Sequence, residues 1–279
     1  MSCMFNCPLV WGILAILIGL KIYIFLTTGI CKSKKRMDGK TAIITGCNTG
    51  IGKETARDLA KRGAKVIMAC RDLKMANKAR DEIIASTGNT KVEVRHLDLD
   101  SLASVRKFAQ NIIESESRLD VLVNNAGAGG LKYKITEDNL QRGMQVNHFG
   151  PFLLTCLLIG LLKKSAPSRI VMVSSVLHKF ARFEVDNLNF EKWYKTQQVY
   201  NCSKLANILV ANELARRLKG TGVTANSLHP GAVLTDIWRN LNQTFEVKTS
   251  KDAMDEGLAK KVWERSEELV GLKPGDYDL

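Results

Sequence analysis

Tyr200-Asn201-Cys202-Ser203-Lys204 is the stretch best equipped for chemistry. Residues four apart in a helix share one face, about one turn apart. A lone tyrosine hydroxyl titrates near ~10. An ammonium beside it favours the phenolate, so such a pair can pass a proton at neutral pH. The same spacing also arises by chance on solvated helix faces, so the surrounding chain must decide.

A second constellation lies upstream. The apolar run Thr41–Thr45 leads directly into Thr45-Gly46-Cys47-Asn48-Thr49-Gly50-Ile51-Gly52, and residues from Lys53 to Arg62 then have helical character. Glycines there let the backbone turn tightly and approach a pyrophosphate seated on a helix N-terminus. The context of strand, glycine turn and helix is what gives the pattern its weight. Further short apolar runs begin at Lys65, Val92, Val121, Arg169 and Val223. Helical stretches separate them: Met75 to Ala85, Ser101 (an N-cap) to Glu114, Gln145 to Leu162, and Gln198 to Leu218. Apolar strands alternating with helices predict an α/β fold, with a parallel sheet covered by helices on both faces.

Several more residues fall at the ends of these elements. Asn124-Asn125-Ala126-Gly127 follows the fourth strand, Asn147 lies in the next helix, Ser175 ends the fifth strand, and His229-Pro230-Gly231 follows the sixth. In this order, from about Lys40 to Asp236, the set resembles the short-chain dehydrogenase/reductase superfamily. It is most similar to the membrane-anchored retinol dehydrogenases, through Gly46 to Ala56, Ala69-Cys70-Arg71-Asp72 and Ser203 to Asn207. The resemblance implies a single Rossmann-type, doubly wound parallel sheet and an oxidoreductase acting on a lipophilic alcohol and its aldehyde or ketone. Retinol and retinal are the first candidates; steroid, farnesol or fatty-aldehyde turnover is the alternative.

The resemblance also implies roles. Tyr200 is the expected general acid/base, with Lys204 lowering its pKa and holding the nicotinamide ribose. Ser175 is the expected donor to the substrate oxygen, and Ser174 is expected to face away. Asn147 is expected to fix the lysine through a water. Gly46, Asn48, Thr49, Gly50, Ile51 and Gly52 are expected to hold the cofactor with Asn125, Ala126, Gly127, Pro230 and Gly231. Asp98 is the expected adenine contact, or else simply ends its strand. At the end of the second strand, an acidic residue would select NAD by accepting from the ribose 2′-hydroxyl. Here Arg71 follows Cys70 and can fork onto a 2′-phosphate, so NADP(H) is expected over NAD(H).

Composition narrows the partners. Lys and Arg number 41 against 28 Asp and Glu, a net charge of +13. Most of this charge is spread over helical stretches, and no zinc-finger spacing or aromatic–arginine interleaving occurs, so no nucleic-acid partner is expected. The cysteines (Cys3, Cys7, Cys31, Cys47, Cys70, Cys156 and Cys202) are odd in number and lack a Cys-x-x-Cys pair, which reads as reduced thiols. Cys3, Cys7 and Cys31 flank the first apolar segment and are candidates for acylation. His96, His148, His178 and His229 lack metal-ligand spacing; packed or solvated histidines are expected, and no metal. Phe190, Trp193 and Tyr194 form either a substrate wall or ordinary packing.

Leu9 to Leu26 is apolar except for Lys21, long enough for a bilayer crossing, and Lys32, Lys34, Lys35 and Arg36 follow. An uncleaved anchor over residues 9–26 is expected, with the remainder of the chain facing the cytosol. The expected organisation is residues 1–36 as anchor and basic flank, 37–240 as the catalytic domain, and 241–279 as a short tail with one helix from Asp255 to Leu269. No seventh strand is evident, Leu241 to Ser250 reads as irregular, and Pro274-Gly275 breaks the chain. The sixth strand is therefore expected at an edge, which raises the alternative of a catalytically idle cofactor binder. Oligomeric state is not readable from the sequence.

Overall fold

The computed structural model describes residues 8–27, 31, 33–192, 195–231, 250–273 and 275–279. Trp193, Tyr194, residues 241–249 and Pro274 lie outside the described residues. The chain divides into two units, Met1–Lys34 and Lys35–Leu279.

In the first unit, α1 spans Pro8–Thr27. Its 20 residues correspond to about 30 Å of helix, matching the hydrocarbon thickness of a bilayer. Trp11, Ile16, Leu17 and Tyr23 are exposed, so the helix presents apolar side chains outward.

The second unit is built on β1 (Thr41–Thr45), β2 (Lys65–Cys70), β3 (Val92–His96), β4 (Val121–Asn124), β5 (Ser168–Val173) and β6 (Val223–Leu228). They form one parallel sheet in the order β3-β2-β1-β4-β5-β6. The order reverses between β1 and β4, and in open α/β sheets ligands bind at such a switch point, beyond the C-terminal strand ends. Strand side chains alternate between faces. Ile43, Ile67, Leu122 and Ile170 enter one core with α4 (Leu102–Ser115), α6 (Gly150–Lys164) and α7 (Thr196–Arg217). Ala42, Ile44, Val66, Met68 and Val123 enter the other core, with α2 (Gly50–Lys61) and α3 (Leu73–Thr87). Ser101 caps α4 as expected, accepting from the Ser104 N–H at 3.2 Å.

The helix expected from Gln145 begins earlier and is not uniform. A short α5 (Arg142–Met144) passes through a π-helical turn, Gln145–Phe149, into α6. Residues 142–164 are apolar enough to span a membrane by composition, but most of that stretch is buried inside the unit. It is a core helix.

β6 stands at the edge of the sheet among the described residues, with Thr224, Asn226 and Leu228 exposed. The last helix, α8 (Glu256–Leu269), is capped by Asp255, which accepts from the Leu258 N–H at 2.8 Å. Its expected inward face was Leu258, Val262 and Leu269; the fully buried residues are Ala259, Val262, Trp263 and Ser266. Trp263 sets this phase. Its ring lies edge-on to Phe152 at 4.8 Å and beneath the Arg217 guanidinium at 4.5 Å. Phe190 lies in the main core at 3% exposure, so packing is its role and not a substrate wall.

Candidate active site

The glycine turn comes first, because everything else is arranged around it. Gly46 and Gly50 have φ of +62° and +56°, a region L side chains rarely adopt. A side chain at Gly52 would collide with Asn125 Nδ2 and lie 2.7 Å from Gly46 O. Asn125 Nδ2 donates to Thr45 O (2.9 Å) and Gly46 O (3.1 Å). Thr45 Oγ1 accepts from the backbone N–H groups of Asn125 (3.1 Å) and Ala126 (3.0 Å). The turns after β1 and β4 are thereby bound into one unit. Thr49, the N-cap of α2, makes no side-chain cap bond, so the first amides of α2 stay open to an anion. An open cleft of about 760 Å³ is lined here by Asn48, Thr49, Gly50, Ile51 and Pro230.

At the end of β2, Arg71 is exposed and has no hydrogen-bond or ion-pair partner among the described residues. Asp72 is committed elsewhere: its carboxylate caps α3, accepting from the Met75 N–H at 2.9 Å. Asp98, past β3, is half-buried and accepts from the Asp100 N–H at 3.0 Å, closing a local turn.

Tyr200 and Lys204 lie on α7 and are buried, with Lys204 Nζ 5.5 Å from the centroid of the tyrosine ring. Nζ donates to Val173 O, the last residue of β5, at 3.0 Å. Burial pushes the lysine pKa down to about 8. A Cβ at Gly127 would sit 3.0 Å from Nζ and 3.5 Å from Asn147 Oδ1, so glycine here lets both groups pack against the turn after β4.

Asn147 sits in the π-helical turn, a distortion often found at functional sites. Its amide binds the loop after Gly127 at both ends. Oδ1 accepts from the Ala128 N–H (2.8 Å), and Nδ2 donates to Ala128 O (2.9 Å) and Ser203 Oγ (3.2 Å). The side chain thus grips Ala128, beside the same glycine that Lys204 Nζ packs against. Ser174 Oγ donates to Lys204 O at 2.7 Å, tying β5 to α7. Ser175 is 9% exposed, and its Oγ accepts from the Leu177 N–H at 3.3 Å.

His178, expected to be packed or solvated, is buried with both ring nitrogens engaged. Nδ1 donates to Ser175 O at 2.7 Å, and Nε2 accepts from the Ser250 N–H at 3.2 Å. His229 Nδ1 is buried without a hydrogen-bond partner among the described residues. Burial, and secondarily the neighbouring His178, lower its pKa. Pro230 and Gly231 (φ +82°) complete this turn.

The structure therefore gathers Tyr200, Lys204, Asn147 and Gly127 in one cluster, with Val173 and Ser174 of the β5 end bonded into it. It gathers Gly46, Gly52, Asn125 and Ala126 in another. Sequence reasoning placed Thr45, Ser203 and Asn207 inside its motifs but gave them no role; in the structure they fasten these clusters. Asn207 Nδ2 donates to Asn147 O at 3.0 Å across 60 residues of chain.

Comparisons with known proteins agree with this geometry. A family model described as short chain dehydrogenase matches residues 40–246. Retinol dehydrogenase 11 of Mus musculus is 47% identical over 267 residues, covering 93% of this chain and 84% of the relative. Retinol dehydrogenase 13 of Homo sapiens is 49% identical over 217 residues, covering 77% and 66%. An uncharacterised protein from Mycobacterium paratuberculosis superposes with a TM-score of 0.75 at 35% identity, covering 88% of this chain and 97% of that one. A short chain dehydrogenase from Escherichia coli CFT073, solved with NADPH, gives a TM-score of 0.58 at 26% identity, covering 71% and 79%. The sheet order, the glycine turn and these matches together establish that the chain belongs to the short chain dehydrogenase family, among relatives that are retinol dehydrogenases.

Proposed function

We propose that this chain is an NADP(H)-dependent oxidoreductase that interconverts a lipophilic alcohol and its aldehyde or ketone, with retinol and retinal the leading pair. The observation that carries the reading is the buried Lys204 ammonium, 5.5 Å from the Tyr200 ring and packed beside Gly127. The residues present fit a dinucleotide. Gly46 and Gly52 let the turns after β1 and β4 pack closely, the α2 amides are open, and Arg71 is unpaired among the described residues. Gly46, Asn48 to Gly52, Asn125 to Gly127, Pro230 and Gly231 would hold it, with Asp98 near the adenine and Arg71 on a 2′-phosphate.

When bound, the cofactor would supply a hydride to the substrate carbon in reduction and accept one from it in oxidation. Tyr200 Oη handles the proton at the substrate oxygen, donating in reduction and accepting in oxidation. Lys204, titrating near about 8, stays largely charged at neutral pH and stabilises the phenolate. Ser175 Oγ donates to the same substrate oxygen, where charge develops. Asn147 holds the floor of the site through Ala128.

α1 supports placing the chain in a membrane through residues 9–26. With Lys34, Lys35 and Arg36 following, the site faces the cytosol from the endoplasmic reticulum or a related membrane. Residues 37–240 are the catalytic domain, and residues 241–279 are a shortened tail with one helix, α8. Membrane-dissolved substrate is concentrated beside such a site.

The test is a panel of retinal, a steroid ketone, farnesal and a fatty aldehyde, each with NADPH and NADH, using the purified full chain in detergent. Highest kcat/KM for retinal with NADPH is expected. NADH preferred on every substrate would overturn the cofactor assignment. A second reading, cofactor binding without turnover, is favoured by β6 at the sheet edge. NADPH binding with no turnover on any panel member would select it.

A further inference from the structure

One chemical feature lies beneath the cofactor turn. Cys47 belongs to the glycine turn, and Cys70 ends the neighbouring strand β2. The strands bring them together: Thr45 pairs with Ala69, and the Gly46 N–H donates to Ala69 O at 2.9 Å. The two sulfurs face each other at 3.8 Å, buried at 0% and 3% exposure. The Cys47 thiol is also 3.1 Å from Ile44 O.

The two thiols differ in chemistry. Cys70 is held below the ordinary thiol range, first by its contact with the Cys47 thiol and further by the backbone N–H groups of Cys47 and Asn48. Cys47 is pushed well above that range by burial. A thiolate held by donors is the nucleophilic form, and a thiol beside it can resolve the product. The other buried cysteines do not share this. Burial pushes Cys202 up to about 12 and Cys156 well above its ordinary value.

We propose that Cys47 and Cys70 form a dithiol that reacts with small hydroperoxides and closes to an intrachain disulfide under the cofactor turn. The Cys70 thiolate attacks the peroxide, so an S–O bond forms, the O–O bond breaks and hydroxide leaves. The Cys47 sulfur then attacks the sulfenic sulfur. The S–S bond forms, the S–O bond breaks, and the second hydroxide departs as water with the Cys47 proton. The dithiol loses two electrons and two protons, and hydrogen peroxide becomes two waters. Closure draws the sulfurs from 3.8 Å to about 2 Å, which pulls the turn at Cys47 toward β2. If the cofactor reading holds, this deforms the groove and weakens NADPH binding.

The test treats reduced, detergent-solubilised full chain with hydrogen peroxide, blocks remaining thiols and maps the peptides by mass. A Cys47–Cys70 cross-linked peptide, reversed by dithiothreitol, is the expected product, with Cys156 and Cys202 still reduced. Cys70→Ser should abolish it. Cys47→Ser should leave a sulfenic acid at Cys70 that dimedone captures. Each variant is used only if its melting curve matches the parent. A native chain in which both thiols stay reduced, or in which Cys70 proceeds irreversibly to sulfinic acid without the cross-link, overturns the proposal. NADPH binding by thermal shift is measured on both forms. Loss on oxidation supports the consequence, and equal binding refutes it. No binding by the reduced form instead sinks the cofactor reading and leaves the cross-link result standing.

Discussion

His148 offers a sharp thermodynamic prediction. It is fully buried in the π-helical turn beside Asn147. Its Nδ1 lies 3.0 Å from Asn207 Oδ1, and its Nε2 lies 2.9 Å from Ser266 Oγ on α8. Asn207 Nδ2 is spent on Asn147 O, so Oδ1 faces the ring and can only accept; Nδ1 carries the hydrogen. Burial lowers the imidazole pKa from 6.5 to about 4. That gap corresponds to about 3 kcal/mol.

The sign follows from which state binds the proton. Above 6.5 both folded and unfolded chains hold neutral imidazole, and below about 4 both are protonated. Between those values only the unfolded chain binds the proton, so stability falls as pH falls through this window. From about pH 7 to about pH 5 this residue alone should cost about 2 kcal/mol, or about 4–8 °C of melting temperature in a unit of this size. His148→Gln removes that loss, while costing about 1–2 kcal/mol at neutral pH for the bond to Asn207. Carboxylates with lowered pKa, such as Asp120 and Glu213, contribute equally to both proteins and cancel in the difference. The assay is scanning fluorimetry of both proteins in mild detergent at the two pH values. An equal drop in melting temperature for both would mean that His148 titrates freely, and the buried network would be wrong.

Three further outcomes follow from the site. Gly52→Ala should lower stability by about 1–3 kcal/mol and abolish NADPH binding, because the methyl collides with Asn125 and the Gly46 carbonyl; calorimetry reads both. Arg71→Glu should raise the KM for NADPH at least about tenfold and shift preference toward NADH, since the carboxylate repels a 2′-phosphate. Lys204→Met should cut kcat by about 100-fold or more while stability changes little, since the buried ammonium is itself disfavoured, which offsets the lost bond to Val173 O and the lost contact with the Tyr200 ring; a pH-rate series beside a melting curve separates the two.

Much of the fold was legible because its signals are local. Apolar runs of strand length between helical stretches placed all six strands, and the Tyr200–Lys204 spacing placed both groups on one helix face. The π-helical turn around Asn147 was not legible, since one widened turn leaves no mark in helical periodicity. Nor was the phase of α8, which is fixed by Trp263 docking between Phe152 and Arg217 rather than by its own leucines. The link from His148 to Ser266 crosses 118 residues, and only the folded chain brings them together. The capping role of Asp72, whose carboxylate accepts from the Met75 N–H, was likewise not read from the sequence.

The central claim is that Tyr200 carries the proton in an NADPH-dependent carbonyl reduction. The most direct measurement is single-turnover reduction of retinal by Tyr200→Phe, with NADPH affinity measured on the same sample. A rate lowered at least about 100-fold with NADPH affinity unchanged is the predicted result. A variant that reduces retinal at the parent rate would contradict it.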